Sequence, residues 1–387
     1  MLYIKDAIMM VMMIFMIIGA IDKVCSNKRG YGAEFEKGIY ATGPLILAAA
    51  AVMAISPAVA QVLSGVISPF FTAIHTDPSL FPAMLLCSDM GGYSIAMELA
   101  EYEAIGLYNG LVVAAIMGAT FTFLMPLALV MLDKEDRKIL VAGVLTGICC
   151  VPIGCFFGGL AMMFTPYPIG FWVVVKNLIP IGVVSLLIAF CLIRFPDGSV
   201  RVFGAVGAMI SDSVILLTVA AIFQQITGIH IPFFEKMATP DSNTGFTGLD
   251  MGLLTCGRIG IVLAGAFPMV LWISRICRKP LEKLGNILEI NSQSVTGFLA
   301  GSTNYAAGFG CFKGMDLKGK YLNTAFLVPG GCALGDLLGF TAGLNSDLLL
   351  PMLIGKLSGG IAALLLANIL TPKMMKLFSD NGKEDKR

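Results

Sequence analysis

Residues 80–100 read LFPAMLLCSDMGGYSIAMELA, and this stretch decides how the chain folds. Both ends are apolar enough for a membrane interior, but the centre holds Ser88, Asp89, Gly91 and Gly92. Adjacent glycines let the backbone leave helical geometry, and non-helical backbone at membrane depth is tolerated only where protein or a watery cavity satisfies its polar groups. We therefore expect a broken, re-entrant segment here and not a helix that crosses the membrane.

The composition of the whole chain supports a membrane setting. Of its 387 residues, 57% are apolar or aromatic and only 13% are charged, about half the usual share. A soluble protein of this size could not cover so much apolar surface with polar groups. The net charge of +1 gives no field that would attract nucleic acid, so nucleic-acid binding is excluded.

Long apolar runs predict an all-α integral membrane protein, a polytopic helical bundle of nine spans with two re-entrant broken helices. A membrane-spanning helix needs about 20 apolar residues. The predicted spans are 3–21, 40–67, 105–132, 140–163, 170–193, 202–226, 251–276, 321–344 and 347–370. The second broken segment is 291–312, which is apolar but interrupted by glycine and polar residues.

The distribution of lysine and arginine predicts the topology. Basic residues cluster after positions 21, 132, 193, 276 and 312 and in the tail, and the positive-inside rule places all of these loops in the cytoplasm. This requires that segments 80–100 and 291–312 do not cross the membrane. The acidic loop 227–250 is then outside.

Matching residues in the two halves of the chain suggest an internal repeat. The matched pairs, at offsets of 211 to 215, are Pro57 with Pro268, Pro69 with Pro280, Asp89 with Asn304, Asn109 with Asn323, and Asp133 with Asp347. The charge rule puts the loop after 80–100 outside and the loop after 291–312 inside, so the two units are predicted to be inverted. Coincidence among glycine- and proline-rich spans is the alternative.

The chain divides accordingly into five parts. They are a first helix and cytoplasmic loop (1–38), repeat 1 with broken segment 80–100 (39–163), a central helix pair with an extracellular loop (164–250), repeat 2 with broken segment 291–312 (251–371) and a cytoplasmic tail (372–387). Inverted repeats with discontinuous helices are typical of secondary transporters, which bind substrate between the breaks.

The first break has the residues that a site for a small ammonium ion needs. A carboxylate at membrane depth is costly unless it meets a cation, so Asp89 is the candidate counter-charge. Ser88 and Tyr93 would contribute a hydroxyl or a ring face, and Gly91 and Gly92 would allow the break. The alternative is that Asp89 only caps the following half-helix.

The second break, Gly301 to Tyr305, has a similar make-up without a charge. Thr303 and Asn304 could bind a substrate hydroxyl or a third ammonium proton, or could serve as local helix caps. Asn109 and Asn323 would line a polar path or bond between helices, and we favour the second role.

Asp336 and Lys356 are expected at similar depth on neighbouring antiparallel spans. A buried ion pair between them is the simpler interpretation, and it would leave Asp336 unavailable as the sole counter-charge. A shared role in substrate binding, proton coupling or gating is the alternative.

No enzymatic, metal or cofactor chemistry is indicated. The chain has only His75 and His230, and its ten cysteines form no CxxC pairs. A zinc, haem or di-iron centre is therefore not expected. We predict no catalytic residues, no metal and no cofactor.

Several strings resemble the EutH family of ethanolamine utilisation proteins. They are LLCSDMGG (85–92), MELA (97–100), VPIGC (151–155), AFPMVL (266–271), ALGD (333–336), LGF (338–340) and PMLIGK (351–356). The resemblance implies a permease that carries ethanolamine inward, and at neutral or acidic pH the substrate is mainly the ammonium form. The resemblance also implies a location in the bacterial inner membrane. The expected partners are ethanolamine and the lipid bilayer, and a homo-oligomer is left open.

Together these observations predict a transporter that works by alternating access, with its site between the two discontinuous helices. A channel-like pore for small cations or amines is the alternative, and it would need a continuous polar path. A membrane enzyme or sensor is a second alternative.

Overall fold

The computed structural model describes residues 2–229, 231 and 245–384, and within these ranges all regular elements are helices. The α-helices are α1 (Leu2–Val24), α2 (Tyr31–Tyr40), α3 (Thr42–Leu45), α4 (Ala51–Ala73), α5 (Leu80–Leu85), α6 (Gly92–Leu99), α7 (Glu103–Leu107), α8 (Met125–Met131), α9 (Arg137–Ile148), α10 (Val151–Met162), α11 (Phe171–Arg194), α12 (Pro196–Thr227), α13 (Gly248–Leu288), α14 (Ser292–Thr303), α15 (Tyr305–Gly310), α16 (Leu317–Gly330), α17 (Asp336–Leu344) and α18 (Leu349–Glu384). Between α7 and α8 the backbone is π-helical over Tyr108–Gly118 and Thr120–Leu124.

Eight helical stretches in the described residues are long and apolar enough to cross a membrane. They are Lys5–Val24, Tyr31–Ala73, Glu103–Met131, Lys134–Met162, Phe171–Arg194, Arg201–Thr227, Gly248–Cys277 and Ser346–Lys376. These stretches coincide with eight of the nine predicted spans. The all-α, polytopic fold class is therefore confirmed, and the chain is a multi-pass membrane protein.

The ninth predicted span, 321–344, differs because the structure breaks it. Helix α16 ends at Gly330 and α17 begins at Asp336. The N–H groups of Cys332 and Leu334 donate to the carbonyls of Gly301 (2.9 Å) and Ser302 (2.8 Å). The break therefore packs directly on the second broken segment.

The first broken segment is a helical hairpin. Helices α5 and α6 are joined by a short 3₁₀ turn, Ser88–Met90, and by Gly91, whose φ of 101° favours glycine. The backbone N–H of Glu101 donates to Oδ2 of Asp77 at 3.0 Å, so the chain returns after α6 to the point at which it entered α5. This geometry agrees with a segment that enters and leaves on the same side.

Hydrogen bonds also join the two ends of the second broken segment. Asn291 donates through its backbone N–H to Oδ1 of Asp316 (3.0 Å) and through Nδ2 to the carbonyl of Gly314 (2.9 Å). A Cβ atom placed on Gly308 would lie 2.8 Å from the Cα atom of Gly301, so α15 folds back along α14. Both segments are therefore hairpins with hydrogen-bonded bases.

The stretch between α7 and α8 lies at the centre of the bundle, since all residues from 105 to 122 are buried. Helices α10 and α18 approach it through Gly154, Gly158 and Gly355, where a Cβ atom on Gly355 would be 2.9 Å from Cδ1 of Ile116. The inverted relation between the two halves stays a prediction. The predicted outer loop 227–250 falls largely outside the described residues.

Topology can be tested by cysteine labelling. We expect a cysteine in place of exposed Tyr102 to react with an impermeant maleimide added outside whole cells, because 101–103 is predicted to be extracellular. Lys313→Cys should react only after permeabilisation, since the basic loop after 312 is predicted to be cytoplasmic.

The background should lack the exposed native residues Cys25 and Cys149. Restoring Cys25, in the predicted cytoplasmic loop after α1, provides the matched control for an inside position. Labelling of position 313 from outside, with none at 102, would reverse the predicted topology.

Candidate functional site

A cavity of about 700 Å³ brings together four of the predicted site residues, Asp89, Thr303, Asn304 and Asp336. One end lies at these side chains, of which Asp89 is buried and the other three are half-buried. The other end reaches Glu34 and the exposed Lys37, in the segment predicted to be cytoplasmic. The cavity therefore runs from the helix breaks to the surface on the predicted cytoplasmic side.

Most of the cavity wall is apolar. The apolar lining residues are Ala41, Pro44, Leu45, Ala48, Phe123, Leu263, Phe267, Val270, Leu271, Leu299, Ala300 and Ala307. A concave, mainly apolar site with a few convergent polar groups is the usual form of a small-molecule site. In such surroundings each charged group interacts more strongly than it would in water.

Asp89 is placed by the tip of the first hairpin. A Cβ atom on Gly92 would lie 2.7 Å from the carbonyl oxygen of Cys87, so only glycine permits this tight reversal. Asp89 is 7% exposed, and its Oδ1 atom has no hydrogen-bond partner among the described residues. A buried carboxylate oxygen without a partner is costly, which points to a ligand that supplies the missing donor.

Asn304 and Asp336 form a hydrogen-bonded pair in the same cavity. Asn304 accepts a hydrogen bond at Oδ1 from the Ala306 N–H (2.8 Å) and donates through Nδ2 to Oδ2 of Asp336. Asp336 is the first residue of α17, where the helix dipole favours a negative charge. Asn304 thus caps α15, which was one of its two predicted roles, and it also lines the cavity.

The expected ion pair between Asp336 and Lys356 is wrong. The ion pairs among the described residues do not include one between these two side chains, and Nζ of Lys356 donates instead to the carbonyl of Ala115 at 2.6 Å. The physical reason is the break at residues 331–335, which turns Asp336 toward Asn304. The prediction of similar membrane depth for Asp336 and Lys356 treats 321–344 as one straight helix, and a straight helix does not include that turn.

Two further predicted residues do not line the cavity. The ring of Tyr93 packs edge-on against Phe340, with ring centroids 6.4 Å apart. Ser88 is buried beside Asp89, and its Oγ has no partner within the described part of the chain. Ser88 therefore has unused hydrogen-bonding capacity at the hairpin tip.

Asn109 and Asn323 act between helices. Asn109 donates to Oγ of Ser79 (2.8 Å) at the base of the first hairpin and accepts from Nδ2 of Asn177 (3.0 Å). Asn323 donates to the carbonyl of Ser294 (2.8 Å) at the base of the second hairpin. Both are fully buried and lie outside the cavity lining.

Sequence reasoning missed the end of the cavity at Glu34 and Lys37 and the third helix break. Nothing in the sequence distinguishes Glu34 and Lys37 from other loop charges. The break did carry a signal, since Pro329, Gly330, Gly331 and Gly335 resemble the glycine pair of the first break. The described residues contain no group of three or more histidine, cysteine or acidic side chains that could hold a metal, and His230 lies outside them.

Comparisons with known proteins agree over nearly the whole chain. The family model described as "Ethanolamine utilisation protein, EutH" matches residues 4–370. The chain is 40% identical to the "Probable ethanolamine permease EutH" of Listeria monocytogenes, covering 96% of each protein. It is 36% identical to the protein of the same name from Escherichia coli, again over 96% of each.

A third relative, the "Uncharacterized protein YxeR" of Bacillus subtilis, is 35% identical over 99% of this chain and 98% of its own length. No solved structure matches at a significant level. On the strength of the family model and of these relatives, the chain belongs to the EutH family of ethanolamine utilisation proteins.

Proposed function

We propose that this protein carries ethanolamine into the cell across the bacterial inner membrane, as the ammonium form, by alternating access. The single observation that carries the proposal is the Asp89 carboxylate oxygen at the buried end of the cavity, which has no partner among the residues that the structure describes. Relatives named ethanolamine permeases support the choice of substrate. These names describe permeases and not enzymes.

The polar groups of the cavity match the two ends of ethanolamine. Asp89 and Asp336 supply carboxylates for the ammonium group, which loses its water shell in a low-dielectric site. Asn304 has a second amide N–H besides the one bound to Asp336, and this N–H can donate to the substrate hydroxyl. Thr303, which donates to the carbonyl of Leu299 (3.2 Å), adds a hydroxyl oxygen as acceptor.

The cavity is much larger than one substrate. Ethanolamine has four non-hydrogen atoms, whereas about 700 Å³ corresponds to roughly 20 water molecules at about 30 Å³ each. We therefore assign substrate selection to the end of the cavity at Asp89. The opposite end, at Glu34 and Lys37, serves as a vestibule on the cytoplasmic side. Closing the vestibule around the substrate is the movement that alternating access requires.

The cavity also favours a carrier over a continuous pore. Its lining includes no residue of the predicted outer loops among the described residues. Behind Asp89 the tip of the first hairpin packs tightly on the buried stretch between α7 and α8. A Cβ atom on Gly118 in that stretch would lie 2.9 Å from the Cys87 nitrogen. A site open to one side only is the arrangement expected of one state of a carrier.

The first functional prediction concerns Asp89. Asp89→Asn should abolish saturable uptake of labelled ethanolamine in proteoliposomes and leave the protein folded, because an amide keeps the shape and removes the charge. Asp133→Asn, an exposed acidic residue outside the cavity, is the matched control and should transport normally. Normal uptake by a well-folded Asp89→Asn variant would contradict the proposed site and move the counter-charge to Asp336.

A second prediction separates the role of Asn304. Asn304→Ala should raise the apparent KM about fivefold, since losing one neutral hydrogen bond costs about 1 kcal/mol. The initial rate of uptake as a function of substrate concentration measures this. An unchanged KM would restrict Asn304 to capping α15.

A third prediction concerns the transport class. Proteoliposomes preloaded with unlabelled ethanolamine should take up external label faster than empty ones, because a carrier returns faster with substrate bound. A channel would show no such acceleration. Equal rates in both preparations would therefore favour the pore.

A further inference from the structure

Lys356 is a buried cation that the proposed binding mode does not use. It is fully buried in α18, and its Nζ atom donates to the carbonyl of Ala115 at 2.6 Å. No carboxylate forms an ion pair with it in the described part of the chain. A buried ammonium with one carbonyl partner is costly, and an ionisable side chain at membrane depth generally serves a function through its charge.

The position of Lys356 relates it to Asp89. Ala115 belongs to the π-helical segment Tyr108–Gly118, and the tip of the first hairpin packs on that same segment. A Cβ atom on Gly92 would lie 2.9 Å from Cβ of Ala114. Lys356 thus lies behind the hairpin tip that carries Asp89, and it is absent from the cavity lining. It can act on the site only through its charge.

The net formal charge around the buried end of the cavity follows from three side chains. Asp89 and Asp336 contribute two negative charges and Lys356 contributes one positive charge, which leaves −1. The other titratable groups near Lys356 and the two aspartates are Cys87, Cys155, Cys256, Cys332 and Tyr305, which are neutral when protonated. One monovalent cation therefore neutralises the site.

We propose that Lys356 is a built-in cation that lets the site accept one ammonium substrate without a co-transported proton or sodium ion. The inference rests on the proposed function and specifies its energetics. Uptake is then electrogenic, because one charge crosses the membrane with each substrate. Without Lys356 the site would hold two uncompensated carboxylates, and substrate binding would require a second cation.

Wild-type protein in proteoliposomes tests the first part. An inside-negative potassium diffusion potential of about 60 mV should raise the steady-state accumulation of ethanolamine about tenfold, as one charge crosses per substrate. Inward sodium or proton gradients at zero potential should add nothing beyond protein-free liposomes, which also correct for diffusion of the neutral amine. Accumulation that requires either gradient would overturn the proposal.

Lys356→Met tests the second part, since methionine keeps the length and loses the charge. Uptake by this variant should become dependent on an inward proton or sodium gradient, with about tenfold more accumulation for each tenfold gradient of one coupled ion. Lys313→Met removes an exposed lysine and is the matched control, which should behave as wild type. A folded Lys356→Met variant that transports without either gradient would contradict the proposal.

A charge-compensated double variant covers the case in which Lys356→Met does not fold. Lys356→Met combined with Asp336→Asn returns the formal sum to −1, so its remaining uptake should again be independent of proton and sodium gradients. Gradient dependence in the double variant would overturn the charge assignment. Absence of counterflow in the wild type would instead reject the proposed function itself, so the two failures are distinguishable.

Discussion

The amide and carbonyl groups released by the helix breaks constrain the rest of this structure. Within a membrane these groups need partners from the protein, since lipid offers none. The break before α17 places the N–H groups of Cys332 and Leu334 on carbonyls of the second hairpin, and the Cys87 N–H donates to Oγ1 of Thr122 at 3.1 Å. The break before α17 therefore lies against the second hairpin, and the first hairpin lies against the stretch between α7 and α8. The cavity is lined by residues from all three breaks.

The bases of the two hairpins are held by side chains of the same type. At the first, Asp77 accepts hydrogen bonds from Ser79 and from the Glu101 backbone. At the second, Asp316 accepts from Ser294 (2.6 Å) and from the Asn291 backbone. These bonds fix the ends of each hairpin, whereas the tips carry Asp89 and Asn304 into the cavity. The polar residues are thus divided between holding the hairpins and lining the cavity.

Charge compensation is the second constraint, and it connects three elements that are distant in sequence. Asp89 on the first hairpin, Asp336 at the start of α17 and Lys356 in α18 all lie in a largely apolar interior where uncompensated charges are costly. Asp336 is stabilised by Asn304 and by the N-terminus of α17. Within the described part of the chain, Asp89 retains an oxygen without a partner, and the proposed cationic substrate would satisfy it.

The sequence by itself determined the all-α membrane fold, the places of eight spans and the broken nature of both hairpins, because apolar length and the interruption of an apolar segment by glycine and polar residues are local properties. It also identified Asp89, Thr303, Asn304 and Asp336 as site candidates. Only the tertiary structure decided that Asp336 pairs with Asn304 and that Lys356 binds the Ala115 carbonyl. Those partners depend on how the break before α17 turns the chain and on which helix packs across it, and no local pattern encodes either.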